Sequence, residues 1–280
     1  MENKVIIIAG ATGSGKSALA LKLAQEQAQE QAQGSVIINA DSMQVYRDLA
    51  LLTARPSPED MRKVPHKLYG FLSGEQRFSA AAWAAMAAEE IKGAFAKGVV
   101  PIVVGGTGLY ISALVDGLAP VPDVPSEIRQ KVRAMDIDEA RARIHEVDKD
   151  FAFTDKHRVF RALEVYLATG RTHTSWQEEP RQRLIDAAFE KRYLEPDRVE
   201  LYEHLNQRFL DMLKAGAVDE VRALLAKKYP DDAPIMKALG VSEIRQFLLG
   251  ELSREDMILR AQQSTRNYAK RQVTWFRHQF

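Results

Sequence analysis

The stretch that most restricts this chain is Gly10-Ala11-Thr12-Gly13-Ser14-Gly15-Lys16-Ser17, which follows the apolar run Val5 to Ala9 and opens a helical pattern. A continuous apolar, β-branched run of this kind marks a strand buried on both faces of a parallel sheet. The glycines let the backbone wrap with its N–H groups turned inward, and the helix N-terminus adds partial positive charge. Lys16 brings a mobile ammonium to the outer phosphate, and Ser17 is placed to ligate Mg²⁺. The segment is read as a phosphate-binding loop. Which polyphosphate it holds stays open.

Later segments repeat the alternation of strand and helix. Val36-Ile37-Ile38 reads as a second buried strand ending at Asn39-Ala40-Asp41-Ser42. Val99 to Val104 reads as a third, ending at Gly105-Gly106-Thr107-Gly108. Between them Ser79 caps an alanine-rich helix that stops at Gly98. This spacing implies a doubly wound parallel sheet. Ligands bind such sheets beyond the carboxyl ends of the strands, so the three strand ends should converge on one crevice.

The pattern changes at Pro120, Pro122 and Pro125, a short stiff connection. From Ser126 to about Gly170 the chain reads as helices, Lys156 to Ala168 most clearly. Phe189 to Leu194 reads as a strand returning to the first domain. Arg198 onward is helical, with breaks at Gly216, at Tyr229 to Pro234 and near Gly250. The expected class is α/β: a P-loop doubly wound parallel sheet core (1–117 and 189–280), a helical insertion domain (118–188) and a helical C-terminal segment. Glu26 to Gln29 is repeated at Glu30 to Gln33, read as an extension of helix without functional content.

Composition narrows the function classes. A net charge of +1 over 280 residues gives no global field for nucleic acid, so any basic surface is local. The absence of cysteine excludes a disulfide framework and a thiolate zinc site. No apolar stretch approaches the ~20 residues a membrane helix needs. Met1-Glu2-Asn3-Lys4 leads into the first strand with no signal-peptide pattern. A soluble, cytoplasmic protein is expected.

Asp41-Ser42-Met43-Gln44-Val45-Tyr46 leaves the second strand at the crevice. A carboxylate there can hold a metal, act as a general base, or simply cap a turn. Gly105-Gly106-Thr107-Gly108 ends the third strand where many P-loop NTPases carry an acid, and its absence weakens an ATPase reading. Two basic clusters remain. Lys156, His157, Arg158 and Arg161 surround Phe160; Arg260, Arg266, Lys270, Arg271 and Arg277 alternate with Tyr268, Trp275 and Phe276. Basic residues beside aromatics suit single-stranded RNA, although the same pattern also describes a solvated helix face with its aromatics in the core.

Taken in order, GATGSGKS, DSMQVY, VGGTGLY, HRVFRALEVY and RNYAKRQVTWFR resemble the bacterial tRNA dimethylallyltransferases over nearly the whole chain. The resemblance implies transfer of a dimethylallyl group from its diphosphate to N6 of the adenosine following the anticodon. It implies Mg²⁺ as cofactor, held by Ser17, and as partners tRNA and dimethylallyl diphosphate, for a monomer that binds neither DNA nor membrane. Carried over by residue, Asp41 is the general base, Thr107 the hydroxyl at the reacting centre and Lys16 a catalytic cation. The loop from Gly10 through Ala11, Thr12, Gly13, Ser14, Gly15, Lys16 and Ser17 binds diphosphate, with Arg222 as an added ligand. RNA contacts are expected at Asp41, Ser42, Met43, Gln44 and Thr107, then at Arg129, His157, Arg158, Val159, Phe160 and Arg161. Lys237, Lys270, Arg271, Gln272, Trp275 and Arg277 complete them. Where the family usually has Gly-Tyr, this chain has Gly240-Val241. Rival readings are a P-loop kinase, a prenyltransferase of free adenine nucleotides, and an RNA-binding module with a relic loop.

Overall fold

A computed structural model describes residues 3–30 and 34–280, so the repeat at 26–33 lies partly outside the described residues. The chain falls into two compact units, one running to Val115 and resuming at Leu184, the other spanning Asp116–Arg183. The first unit begins with β1 (Lys4–Gly10), α1 (Lys16–Glu30), β2 (Ser35–Asn39), α2 (Pro58–Lys63), β3 (His66–Lys67), α3 (Ala80–Phe95), β4 (Val100–Gly105) and α4 (Gly108–Val115). The second holds α5 (Ser126–Arg133), α6 (Ile137–Val147), α7 (Lys156–Thr169) and α8 (His173–Gln177). The first unit then resumes with β5 (Ala188–Leu194), α9 (Arg198–Lys214), α10 (Ala217–Ala226), a 3₁₀ turn (Pro234–Lys237), α11 (Val241–Leu248) and α12 (Arg254–Gln279).

The sheet is parallel throughout, in the order β3-β2-β4-β1-β5. Its three inner strands are the apolar runs of the sequence, with Ile6 and Ile37 both level with Ile102 and all three buried. The expected strand from Phe189 forms at the edge beside β1, Val5 facing Phe189. β3 is a two-residue edge strand and carries no apolar run that would announce it.

Ser79 caps α3 by accepting the Ala82 N–H at 3.0 Å, and the alanines let the helix lie close to the sheet. α12 packs mainly on α9 and α11 and reaches α4 and β1. It thereby lays a polar, C-terminal helix across the end of the sheet where the loop opens. In the insertion unit, Asp155 caps α7 through the Arg158 N–H, and Gly170 closes the helix in the left-handed region. No helix among the described residues is long and apolar enough to cross a membrane.

Candidate active site

β2 and β4 end beside the loop that follows β1, so their terminal residues meet at one edge. Asn39 organises it. Its Oδ1 accepts the Asp41 N–H at 2.8 Å, and its Nδ2 donates to the carbonyls of Asp41 (3.0 Å) and Leu68 (2.9 Å). The Trp83 indole N–H donates to the Asn39 carbonyl at 2.7 Å, while its ring stacks on Tyr110. The turn that carries Asp41 is thus fixed from the helices packed on the sheet.

Asp41 caps its own turn and leaves one oxygen without a hydrogen bond from the described residues. Its Oδ1 accepts the N–H groups of Met43 at 2.8 Å and Gln44 at 3.3 Å, the bonds of a cap. Its Oδ2 takes no hydrogen bond from the described residues, and Asp41 is among the residues that line the crevice. Burial raises the Tyr69, Tyr110 and Tyr268 phenols above their ordinary range, and the Asp41 charge adds to each shift. Thr107 is one residue away through space: its Oγ1 accepts the Ser42 N–H at 3.0 Å and donates to Ser42 Oγ at 3.3 Å.

The loop is tied down from α9 and α12. Lys16 Nζ donates to the Ala11 carbonyl at 2.5 Å. Burial lowers the Lys16 ammonium to about 8, the nearby Arg208 acts in the same direction, and Asp41 opposes both. Arg208 Nη2 donates to Thr12 Oγ1 at 2.8 Å. Gln272 accepts the Thr12 N–H at 2.8 Å and donates to the Gly106 carbonyl at 2.7 Å. A Cβ on Gly106 would sit 2.3 Å from the Gln272 amide, and one on Gly108 would sit 2.2 Å from the Trp275 ring. The glycines after β4 therefore exist to let α12 approach.

Thr12, Arg208, Asp41 and Ser42 line a cavity of about 240 Å³, whose apolar wall comes from Leu52, Leu205, Phe209 and Met212. Met43, Thr53, Lys237, Tyr268 and Arg271 also face it. An anionic group at the loop and an apolar fragment against that wall suit its two kinds of lining. Ser14 Oγ is buried and unpartnered among the described residues, as fits a hydroxyl that turns toward a bound anion. No group of three His, Asp or Glu residues able to hold a metal occurs among the described residues. A hard divalent cation that takes one protein oxygen and fills its shell with phosphate oxygens and water fits the Ser17 hydroxyl, which is exposed at the start of α1.

Four expected site residues lie elsewhere than expected. Arg222 is exposed on α10, pairs with Asp219 and does not line the cavity. The guanidinium at the loop is Arg208, which the sequence reading missed. The signal was present: Leu201, Leu205, Arg208 and Met212 recur at helical spacing, placing one cation on an apolar stripe. Gln272 is buried and bridges Thr12 to Gly106, so both ends of its amide are occupied. Val159 and Phe160 belong to the core of the insertion unit, packed with Val132, Ile144 and Leu163.

Of the remaining expected RNA-contact positions, His157, Arg158, Lys237, Lys270, Arg271 and Arg277 are exposed, while Met43, Gln44, Arg129, Arg161 and Trp275 are half-buried. In the insertion unit His157 and Arg158 are exposed, and the Arg158 guanidinium lies 4.4 Å from the Phe153 ring centre beside Asp155. Arg161 is half-buried; burial lowers its pKa, and Arg129 lies close enough to lower it further against the pull of Glu164. Arg129 itself donates to the Val124 carbonyl at 3.2 Å. In the core unit Lys270 and Arg271 are exposed on α12, and Arg277 pairs with Glu195. Gln44 donates to the carbonyls of Thr53 and Ala54. Val241 is fully buried and packs in the core with Leu52 and Phe209.

The sequence profile of IPP transferases matches residues 44–279, and that of isopentenyl transferases matches residues 3–71. The chain belongs to the IPP transferase family. Relatives of this family include the tRNA dimethylallyltransferase of Azorhizobium caulinodans, 49% identical over 98% of this chain and 89% of its own length. That of Erythrobacter litoralis is 48% identical over 98% of this chain and 88% of its own. Among solved structures, a eukaryotic dimethylallyltransferase acting on tRNA superposes with a TM-score of 0.82 at 28% identity, covering 97% of this chain and 69% of that one. A tRNA isopentenylpyrophosphate transferase from Staphylococcus epidermidis gives 0.69 at 29% identity, covering 99% and 91%.

Proposed function

We propose that this chain transfers a dimethylallyl group from dimethylallyl diphosphate to N6 of the adenosine following the anticodon of tRNA, in the cytoplasm. One observation carries the reading: Thr12 of the phosphate loop lines the same partly apolar cavity as Asp41, whose Oδ2 takes no hydrogen bond from the described residues. Family membership supports it, and so does the absence of an acid at the end of β4, which a phosphoryl-transfer enzyme would want.

The loop amides, Lys16 and Arg208 hold the diphosphate and stabilise the charge it gains as the allylic C–O bond breaks and the electron pair leaves with oxygen. Each such donor is typically worth ~10²–10³ in rate. A Mg²⁺ ion would be held by the Ser17 hydroxyl and would supply further neutralisation of the leaving group's charge. The adenine amine is a weak nucleophile because its lone pair is delocalised into the ring. As it bonds to carbon, Asp41 Oδ2 takes the N6 proton, a contribution of ~10²–10⁴. Thr107 holds the Asp41 turn through Ser42 and presents its hydroxyl beside it. The insertion unit, with Arg129, His157, Arg158 and Arg161, is assigned to the phosphates of the anticodon stem-loop. Lys237, Lys270, Arg271, Trp275 and Arg277 are assigned to the loop nucleotides.

The test is direct. The protein is incubated with Mg²⁺, labelled dimethylallyl diphosphate and either bulk tRNA or AMP. Label in tRNA alone is expected. Label in AMP, or release of phosphate from ATP without label transfer, overturns the reading.

A further inference from the structure

The motif Glu220-Val221-Arg222 is not explained by diphosphate binding, because Arg222 points to Asp219 and solvent. Its glutamate is the unusual member. Glu220 Oε1 accepts the N–H groups of Ala50 at 2.6 Å and Leu51 at 2.8 Å, and Oε2 accepts that of Leu52 at 3.0 Å. Consecutive backbone N–H groups turned to one side form a natural anion seat, and here a carboxylate of the same chain fills it.

The seated segment is a wall of the cavity, contributing Leu52 and Thr53. It is gripped from its other side as well, since Gln44 Nε2 donates to the Thr53 carbonyl at 2.7 Å and the Ala54 carbonyl at 3.0 Å. Ala54 sits at φ 52°, a left-handed conformation that a non-glycine residue keeps only when its surroundings impose it. A second carboxylate anchors the same stretch: Asp48 accepts from Tyr229 Oη at 3.0 Å and pairs with Lys227 at 3.0 Å. The wall is therefore an irregular turn without ladder partners, and its position depends on these side chains.

We infer that Glu220 is a positioning residue for the transfer reaction: it sets the apolar wall against which the dimethylallyl group and the adenine meet. This rests on the proposed function. The phosphate loop is held separately, by Arg208 and Gln272, so loosening the wall should leave diphosphate binding intact. It should misplace the reacting ends and admit water to the allylic carbon. Water then takes the dimethylallyl group as its alcohol, releasing diphosphate and a proton without modifying RNA.

The experiment compares wild type, Glu220→Gln and Gln44→Ala, measuring kcat and KM, inorganic pyrophosphate affinity, and diphosphate released per label transferred to tRNA. Glutamine keeps one acceptor and turns an N–H against the Leu52 N–H, so kcat should fall roughly ten- to a hundredfold. Pyrophosphate affinity should stay unchanged, and the ratio of diphosphate released to label transferred should rise above one. Gln44→Ala, which frees the wall from its carbonyl side, should raise the same ratio. A lowered melting temperature with an unchanged ratio in both variants overturns the inference. So does a loss of pyrophosphate affinity parallel to the loss of kcat, which would make Glu220 a prop of the loop instead. If wild type itself transfers no label to tRNA, the proposed function has failed, and that outcome is visible before any variant is read.

Discussion

The crevice of the core unit and the basic face of α7 in the insertion unit both carry charged side chains assigned to the same substrate, yet they are built in opposite ways. In the crevice the groups around the loop are tied to one another: Thr12 by Arg208 and Gln272, Thr107 by Ser42, the Asp41 turn by Asn39. On α7, His157 and Arg158 project into solvent, and the ion pair of Arg158 is with its own N-cap, Asp155. Chemistry needs groups preorganised where charge will develop, since a group that must reorganise forfeits much of its benefit. Phosphate backbone recognition needs only positive charge within reach, and solvated, mobile cations meet that need. Residues of the first kind should therefore be intolerant of small changes, and residues of the second kind should act additively.

Asp41→Asn should produce the largest effect. The amide oxygen still accepts from the Met43 N–H, so the turn survives, but N6 loses its base and single-turnover rates should fall by ~10²–10⁴ with tRNA binding retained. Rates like those of wild type would remove Asp41 from the chemistry. Arg208→Ala should lower kcat/KM for the diphosphate substrate by ~10²–10³, while Arg222→Ala leaves it unchanged. A reversal of that order would restore the assignment made from sequence alone.

A pH profile sharpens the contrast further. Lys16, lowered to about 8 by burial, loses its proton as pH rises through that value, and the loop loses a cation. kcat/KM, which reports the free enzyme, should therefore decline about tenfold per pH unit above about 8. Lys16→Arg should abolish that limb even though it lowers the rate. The smallest effect belongs to the exposed face: Arg158→Gln with Arg161→Gln should leave kcat intact and make the salt dependence of tRNA binding shallower by roughly one to two in log–log slope. An unchanged slope would assign both side chains to packing within the insertion unit.

How far the site was legible follows from how each residue is specified. Gly10 to Ser17, Asp41 and Thr107 sit at ends of apolar strands, and a parallel sheet brings such ends together whatever the rest of the chain does. Arg208 and Glu220 act across long sequence separations, on Thr12 and on residues 50–52. Arg208 leaves one local trace, a cation on the apolar stripe of Leu201, Leu205 and Met212, whereas nothing local distinguishes Glu220 from an ordinary helix-surface charge. Gln272, Val159 and Phe160 show the reverse error, because a basic and aromatic run looks the same whichever of its members faces inward.

The sequence by itself determined the glycine-rich loop between β1 and α1, the parallel α/β core and a helical stretch between β4 and β5, because each rests on local periodicity and on glycines in a short window. Tertiary structure alone decided which guanidinium reaches the loop, which carboxylate holds the cavity wall, and which face of α7 and α12 is buried. Those outcomes depend on how helices far apart in the chain pack and rotate against one another. Period and composition specify that a helix has an apolar face, and only packing specifies what that face meets.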